Sequence, residues 1–122
     1  MDIRSLMPSF LRTLIPYESP NEGAPEGTVW LNTNEYPTAT KYEMRFETLN
    51  RYPQVQPDVF RTRYAQYAGV GSEEVLVTRG ADEGIELIIR TFCTPFKDTV
   101  LYALPTYSMY GISAKTCGGN VL

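Results

Sequence analysis

The sequence contains no histidine, and its two cysteines, Cys93 and Cys117, form no CxxC pair. Zinc sites of the His/Cys kind are thereby excluded, as are triads and general bases that use an imidazole, so no metal site is expected. Both thiols are expected to be buried and inert. No stretch reaches the roughly 18 apolar residues of a membrane span. Residues 1–15 interrupt their apolar positions with Asp2, Ser5, Pro8 and Ser9, which leaves no signal-peptide core. The eleven basic residues are scattered, and the net charge is -3 with a pI near 4.9. No electrostatic footprint for nucleic acid follows from that pattern. Internal repeats and low-complexity segments are absent too. What remains is an acidic chain of 122 residues, 43% hydrophobic, long enough for one ordinary core and expected in the cytoplasm.

Proline divides the chain. Residues 1–57 hold seven of the nine prolines, among them Pro16, Pro20, Pro25, Pro37, Pro53 and Pro57, and show no sustained periodicity. They read as an extended arm with aromatic anchors (Tyr17, Trp30, Tyr36, Tyr42, Tyr52) that lies across its own domain or a partner subunit. From residue 58 onward the pattern is regular. Phe60, Tyr64, Tyr67 and Ala68 recur at helical spacing between Asp58 and Gly69, which predicts a capped amphipathic helix. Val75, Leu76 and Val77 predict a short strand, and Ile85, Ile88, Ile89 and Phe92 a helix from about Asp82 to Phe92. Thr99 to Leu104 predicts a second strand, ended by Pro105. Tyr110, Ser113, Ala114 and Cys117 mark a face of a further helix that closes at Gly118-Gly119, and Asn120 to Leu122 looks like a third strand cut short. Alternating short strands and helices imply βαβ units in a parallel sheet, an α/β fold. A parallel edge of three residues exposes unpaired backbone, so the chain is expected to be interrupted rather than finished.

Three segments could carry chemistry. Arg79-Gly80-Ala81-Asp82-Glu83-Gly84 is a strand-to-helix turn whose small residues let a ligand approach the first free N–H groups of the following helix. Those groups and the positive end of the helix dipole make a phosphate site. The same six residues also suit a plain tight turn with Asp82 as helix cap. They match neither a Walker A loop nor a GxGxxG turn. Pro105-Thr106-Tyr107-Ser108-Met109-Tyr110 follows the second strand at its carboxyl end, where ligands of open α/β sheets bind. Tyr107 could lay its ring on a flat heterocycle there, or simply pack. The third pair, Asn32 to Pro37 and Asn50 to Pro53, places polar and aromatic residues where no core role is evident, or where they merely face water.

Taken in order, Leu31-Asn32-Thr33-Asn34-Glu35-Tyr36-Pro37, Leu49-Asn50-Arg51-Tyr52-Pro53, Tyr64-Ala65-Gln66-Tyr67-Ala68-Gly69-Val70, Arg79 to Leu87 and Pro105-Thr106-Tyr107 resemble the first third of fold-type I aminotransferases that use pyridoxal 5'-phosphate. The likeness is to the histidinol-phosphate aminotransferase family in particular. It implies an incomplete three-layer αβα large domain over residues 58–122, preceded by an arm and dimer-contact segment over residues 1–57. It makes Ala81 and Asp82 backbone donors to the cofactor phosphate and Tyr107 the ring stacked on the pyridine face. By the same resemblance Tyr52 reaches the phosphate of the other subunit of a homodimer, and Tyr17 and Asn34 line the substrate pocket.

The implied reaction moves an amino group between histidinol phosphate and 2-oxoglutarate in histidine biosynthesis. A related enzyme such as a threonine-phosphate decarboxylase, or a non-catalytic phosphate-binding or dimerising fragment, are the alternatives. The family's Schiff-base lysine lies beyond Leu122, and Lys41, Lys97 and Lys115 do not stand in its Ser-Lys context. No catalytic residue is therefore expected in this chain, which should be inactive alone. In the family's sheet the first strand sits apart from the second and third, so Val75 to Val77 is not expected to pair with Val100 to Ala103.

Overall fold

A computed structural model of the chain describes residues 2–19, 22–23, 25, 27, 29–44, 47 and 49–122. Regular structure begins where the proline-rich part stops. Helix α1 runs Asp58–Ala68, and Gly69 ends it in the left-handed conformation. Its first amide is capped not by Asp58 itself but by Gln54, whose side-chain oxygen accepts from the Asp58 N–H at 3.3 Å. Helix α2 spans Ala81–Phe92, strand β1 Thr99–Val100, helix α3 Met109–Thr116 and strand β2 Asn120–Val121. Short 3-10 turns occupy Ile3–Leu6, Ser9–Leu11 and Ser72–Glu74.

The chain divides into two compact units: Met1–Glu18 with Thr78–Leu122, and Ser19–Val77. In the first, β1 and β2 pair in parallel, Thr99 opposite Asn120 and Val100 opposite Val121. The expected βαβ arrangement is thus present, with α3 as its crossover and α2 packed against α3. The ladder is longer than the strands, since Asn120 N–H donates to Asp98 O, Leu122 N–H to Val100 O and Tyr102 N–H to Leu122 O, each at 3.1 Å. The second strand nonetheless stops short of Leu104, because Ala103 and Leu104 meet no partner backbone among the described residues. Residues 2–18 belong to this unit: Phe10 sets its ring edge-on to Phe96 at 5.1 Å.

In the second unit the predicted strand Val75 to Val77 is not one. Val75 has extended torsions (φ -111°, ψ 122°), but a strand is defined by its partner. Here the Gln56 side chain takes that place, accepting from Val77 N–H at 2.8 Å and donating to Val77 O at 3.0 Å. The Arg61 guanidinium holds the same segment to α1 through the carbonyls of Ser72 and Val75.

Helical periodicity placed the helices well and their buried faces less well. Ala65, Ile89 and Ala114 are the buried apolar residues among those described, with Ser113 beside them. On α1 the stripe Phe60, Tyr64 and Tyr67 is exposed, and on α2 Ile88 and Phe92 are exposed while Ile89 is buried. On α3 the inner face is Gly111, Ser113 and Ala114, with Tyr110 turned outward. Gly111 is there because a β-carbon would stand 2.6 Å from the Tyr102 hydroxyl. Close approach of α3 to β1 thus replaces the tyrosine contact that spacing alone suggests. Cys93 and Cys117 are free and half-buried rather than buried, since each follows the last turn of a helix where cover thins. Burial still pushes the Cys117 thiol above its ordinary value.

Candidate functional site

The site is assembled around the start of α2. Gly80 precedes the helix with φ +86° and ψ 179°, a conformation open essentially to glycine alone. Nothing lies within 4 Å of where its β-carbon would be. A ligand can therefore come close to the backbone at the helix mouth. The turn is held from both sides: the Thr78 hydroxyl donates to Gly80 O at 2.8 Å. The Glu83 carboxylate accepts from the Arg79 amide and from its guanidinium, the latter at 2.7 Å. That pairing raises the Arg79 pKa and holds the Glu83 carboxyl below the usual carboxylate range. Arg79 is thereby committed to the turn. No side chain caps α2, so the amides of Ala81 and Asp82 point from the positive helix end without a protein acceptor among the described residues.

A flat aromatic group stands beside those amides. The Tyr107 hydroxyl donates to the Asp82 carboxylate at 2.8 Å. The Tyr107 ring has two near-perpendicular ring neighbours, Tyr17 at 6.5 Å and 78° and Tyr110 at 6.4 Å and 85°. Its phenol is pushed up to about 12, first by the hydrogen bond to Asp82, then by burial and by the carboxylate's charge, with a smaller effect of Tyr17. The phenol is consequently a neutral hydrogen-bond donor throughout the physiological range. Tyr107 remains 42% exposed, which leaves ring surface for a ligand. Free amides suited to a phosphate and an aromatic face suited to a heterocycle thus occur together.

Of the residues singled out in the sequence, Ala81, Asp82, Tyr107 and Tyr17 all lie in one unit, three of them linked as just described. Asn34 and Tyr52 lie in the other. Asn34 has φ +55° and follows Thr33 at +57°, a left-handed pair that turns the backbone after Asn32. Tyr52 is 102% exposed. Lys41, Lys97 and Lys115 are all exposed. Two features escaped sequence reasoning. The Asp82 carboxylate grips a hydroxyl 25 residues away, for which no local signal exists. Tyr110 supports Tyr107 rather than the core, and their spacing of three residues was the available clue.

A groove of about 570 Å³ in the same unit is lined by Phe10, Leu14, Phe96, Ile112 and Lys115 among others, and by none of the four site residues. Among the described residues there is no cluster of three or more acidic or cysteine side chains able to hold a metal ion. Nor is any helix long and apolar enough to cross a membrane.

Residues 26–122 match the family model described as aminotransferase class I and II. Histidinol-phosphate aminotransferases of Shigella boydii and Escherichia coli are each 58% identical to this chain over 108 residues, covering 88% of the chain and 30% of the relative. That of Salmonella paratyphi A is 52% identical over 118 residues, covering 97% and 33% respectively. The chain thus spans about a third of the length of the relatives it matches.

Proposed function

The chain belongs to the class I and II aminotransferase family, and from that premise we propose that it is the cofactor-phosphate-binding portion of a histidinol-phosphate aminotransferase. The observation that carries the reading is the conjunction of the unpaired Ala81 and Asp82 amides with a Tyr107 ring tied to the same helix start. Bound pyridoxal 5'-phosphate would supply the electron sink for amino-group transfer. The chain's own residues would do the holding. Ala81 and Asp82 donate to the phosphate, with the helix dipole adding to their attraction, and Tyr107 covers the pyridine face. Tyr17 stands beside that ring and lines the substrate side, and Asn34 contributes there as well. Tyr52, free of contacts that would bury it, reaches the phosphate held by the other subunit of a homodimer.

The finer architecture belongs to the same proposal: an arm over residues 1–57 and the beginning of a three-layer αβα large domain over residues 58–122, in a cytoplasmic enzyme. The exposed stripes of α1 and α2 support it, because burying a side chain such as Phe92 is worth roughly 1.5–3 kcal/mol. Further sheet, helix or partner surface would cover them. None of Lys41, Lys97 and Lys115 stands in the Ser-Lys context of the family nucleophile, so this stretch by itself would hold the cofactor by no site-specific covalent link and would not turn over substrate.

The test compares the 122 residues alone with a polypeptide of full family length that carries them. Turnover of histidinol phosphate with 2-oxoglutarate is expected from the longer chain and none from the shorter. Decarboxylation of threonine phosphate in place of that turnover would reassign the substrate. Stoichiometric cofactor binding with no turnover of either would contradict the enzymatic reading.

A further inference from the structure

Asp82 carries two different groups at the mouth of α2, and the reading above uses only its amide. Asp82 stands inside the first turn of α2, whose N-cap is Gly80, where an aspartate ordinarily just faces the positive helix end. Instead its carboxylate accepts the Tyr107 hydroxyl at 2.8 Å. The neighbouring acid, Glu83, has its charge matched by Arg79 at 2.7 Å. Asp82 has no cation partner among the described residues, and the tyrosine hydroxyl is the donor that engages it. Tyr107 itself has two ring neighbours with near-perpendicular planes, Tyr17 and Tyr110, but contacts between rings at such distances oppose sliding and rotation of the ring only weakly. The hydroxyl bond fixes the remote end.

We propose that the Asp82 carboxylate is a positioning group that anchors the Tyr107 ring by its hydroxyl, so that one residue fixes both the phosphate, through its amide, and the aromatic cover, through its side chain. This rests on the proposed cofactor role and adds to it a specific claim about a side chain. Phosphate and ring are thereby held in a set separation by a single helix turn. A purely structural role, stitching the 105–108 turn to α2, would make the same bond but would not influence the bound cofactor.

The experiment uses the full-length polypeptide with pyridoxal 5'-phosphate and the variants Asp82→Ala, Asp82→Asn, Tyr107→Phe and Asp82→Ala/Tyr107→Phe. The readouts are the visible circular dichroism that the site induces in the cofactor, and cofactor affinity. In parallel, the ligand-free protein carries 3,5-difluorotyrosine at position 107, whose ionisation is followed by fluorine NMR. Asp82→Ala is expected to lose most of the induced signal, weaken cofactor binding about tenfold and lower the fluorophenol midpoint by about one pH unit. Asp82→Asn, whose amide oxygen still accepts the hydroxyl, should restore the induced signal. The double variant should be no worse than either single one, as two partners of one bond require. An Asp82→Ala protein that binds the cofactor with wild-type signal and affinity overturns the inference while leaving the cofactor reading intact. A wild-type protein that binds no cofactor overturns both, whatever the fluorine midpoint shows.

Discussion

The two units of this chain present their candidate groups in different ways. In the unit of residues 2–18 and 78–122, the amides of Ala81 and Asp82 are fixed by a helix, and Tyr107 is fixed by a hydrogen bond to that helix and by two rings. In the unit Ser19–Val77, Asn34 sits in a left-handed turn and Tyr52 stands fully in solvent. The lesson is that the first set is tied together within its own unit, whereas Asn34 and Tyr52 are exposed, and a role for them in binding belongs to the proposed function. Changes in the first should therefore disturb folding and binding together, and changes in the second should disturb binding alone.

The largest effect is expected at the helix mouth. Gly80→Ala places a β-carbon in a torsion that favours glycine, without any clash to relieve, since nothing lies within 4 Å. A loss of about 1–3 kcal/mol in unfolding free energy follows, measurable by urea denaturation of the full-length polypeptide and accompanied by weaker cofactor binding. Wild-type stability with unchanged affinity would break the claim that this turn is built around glycine.

Tyr52→Phe sharpens the comparison from the other side. Loss of the hydroxyl proposed to reach the phosphate is expected to weaken cofactor binding in the assembled dimer by about 1.5 kcal/mol. Stability of the subunit should stay within about 0.5 kcal/mol, as for a contact-free surface site. Equal losses of both would place Tyr52 in the fold rather than at a shared site.

Gly111→Ala tests close packing in the first unit. The added methyl meets the Tyr102 hydroxyl at 2.6 Å, against a helix-propensity gain of about 1 kcal/mol. A net destabilisation of about 1 kcal/mol is expected, partly relieved by adding Tyr102→Phe. Stabilisation by the single change would show that α3 is not pressed onto β1.

The smallest effect concerns the Arg79–Glu83 pair. Its Glu83 carboxyl is lowered in the folded chain, so its contribution is present above the ordinary value of 4.5 and fades as pH falls through the lowered one. Glu83→Gln should flatten that part of the acid-side stability profile. Because both side chains are at the surface, the change is expected to be slight.

Much of this was legible from the residues. Gly69, Gly80 and Gly118-Gly119 bound helices placed by the helical spacing of Phe60, Tyr64, Tyr67 and Ala68, of Ile85, Ile88, Ile89 and Phe92, and of Tyr110, Ser113, Ala114 and Cys117, and the sequence order of strand and helix implied the parallel pair β1 and β2. Burial was less legible, because periodicity marks an apolar stripe without saying what covers it: Phe60, Tyr64, Ile88 and Phe92 lie on such stripes and remain exposed. Val75 to Val77 misled for a related reason, since extended apolar residues become a strand only when another backbone pairs with them. At the site, the residues themselves marked the turn Arg79 to Gly84 and Tyr107 as candidates, and the family resemblance singled out Ala81 and Asp82 within that turn. The bond joining Asp82 to Tyr107 depends on how the chain returns after β1, and only the folded chain reveals it.

The most direct measurement is a crystal structure of the full-length polypeptide with pyridoxal 5'-phosphate. Phosphate oxygens within about 3.2 Å of the Ala81 and Asp82 nitrogens, with Tyr107 lying over the ring, are the predicted result. A phosphate bound elsewhere while those two amides face water would contradict the account.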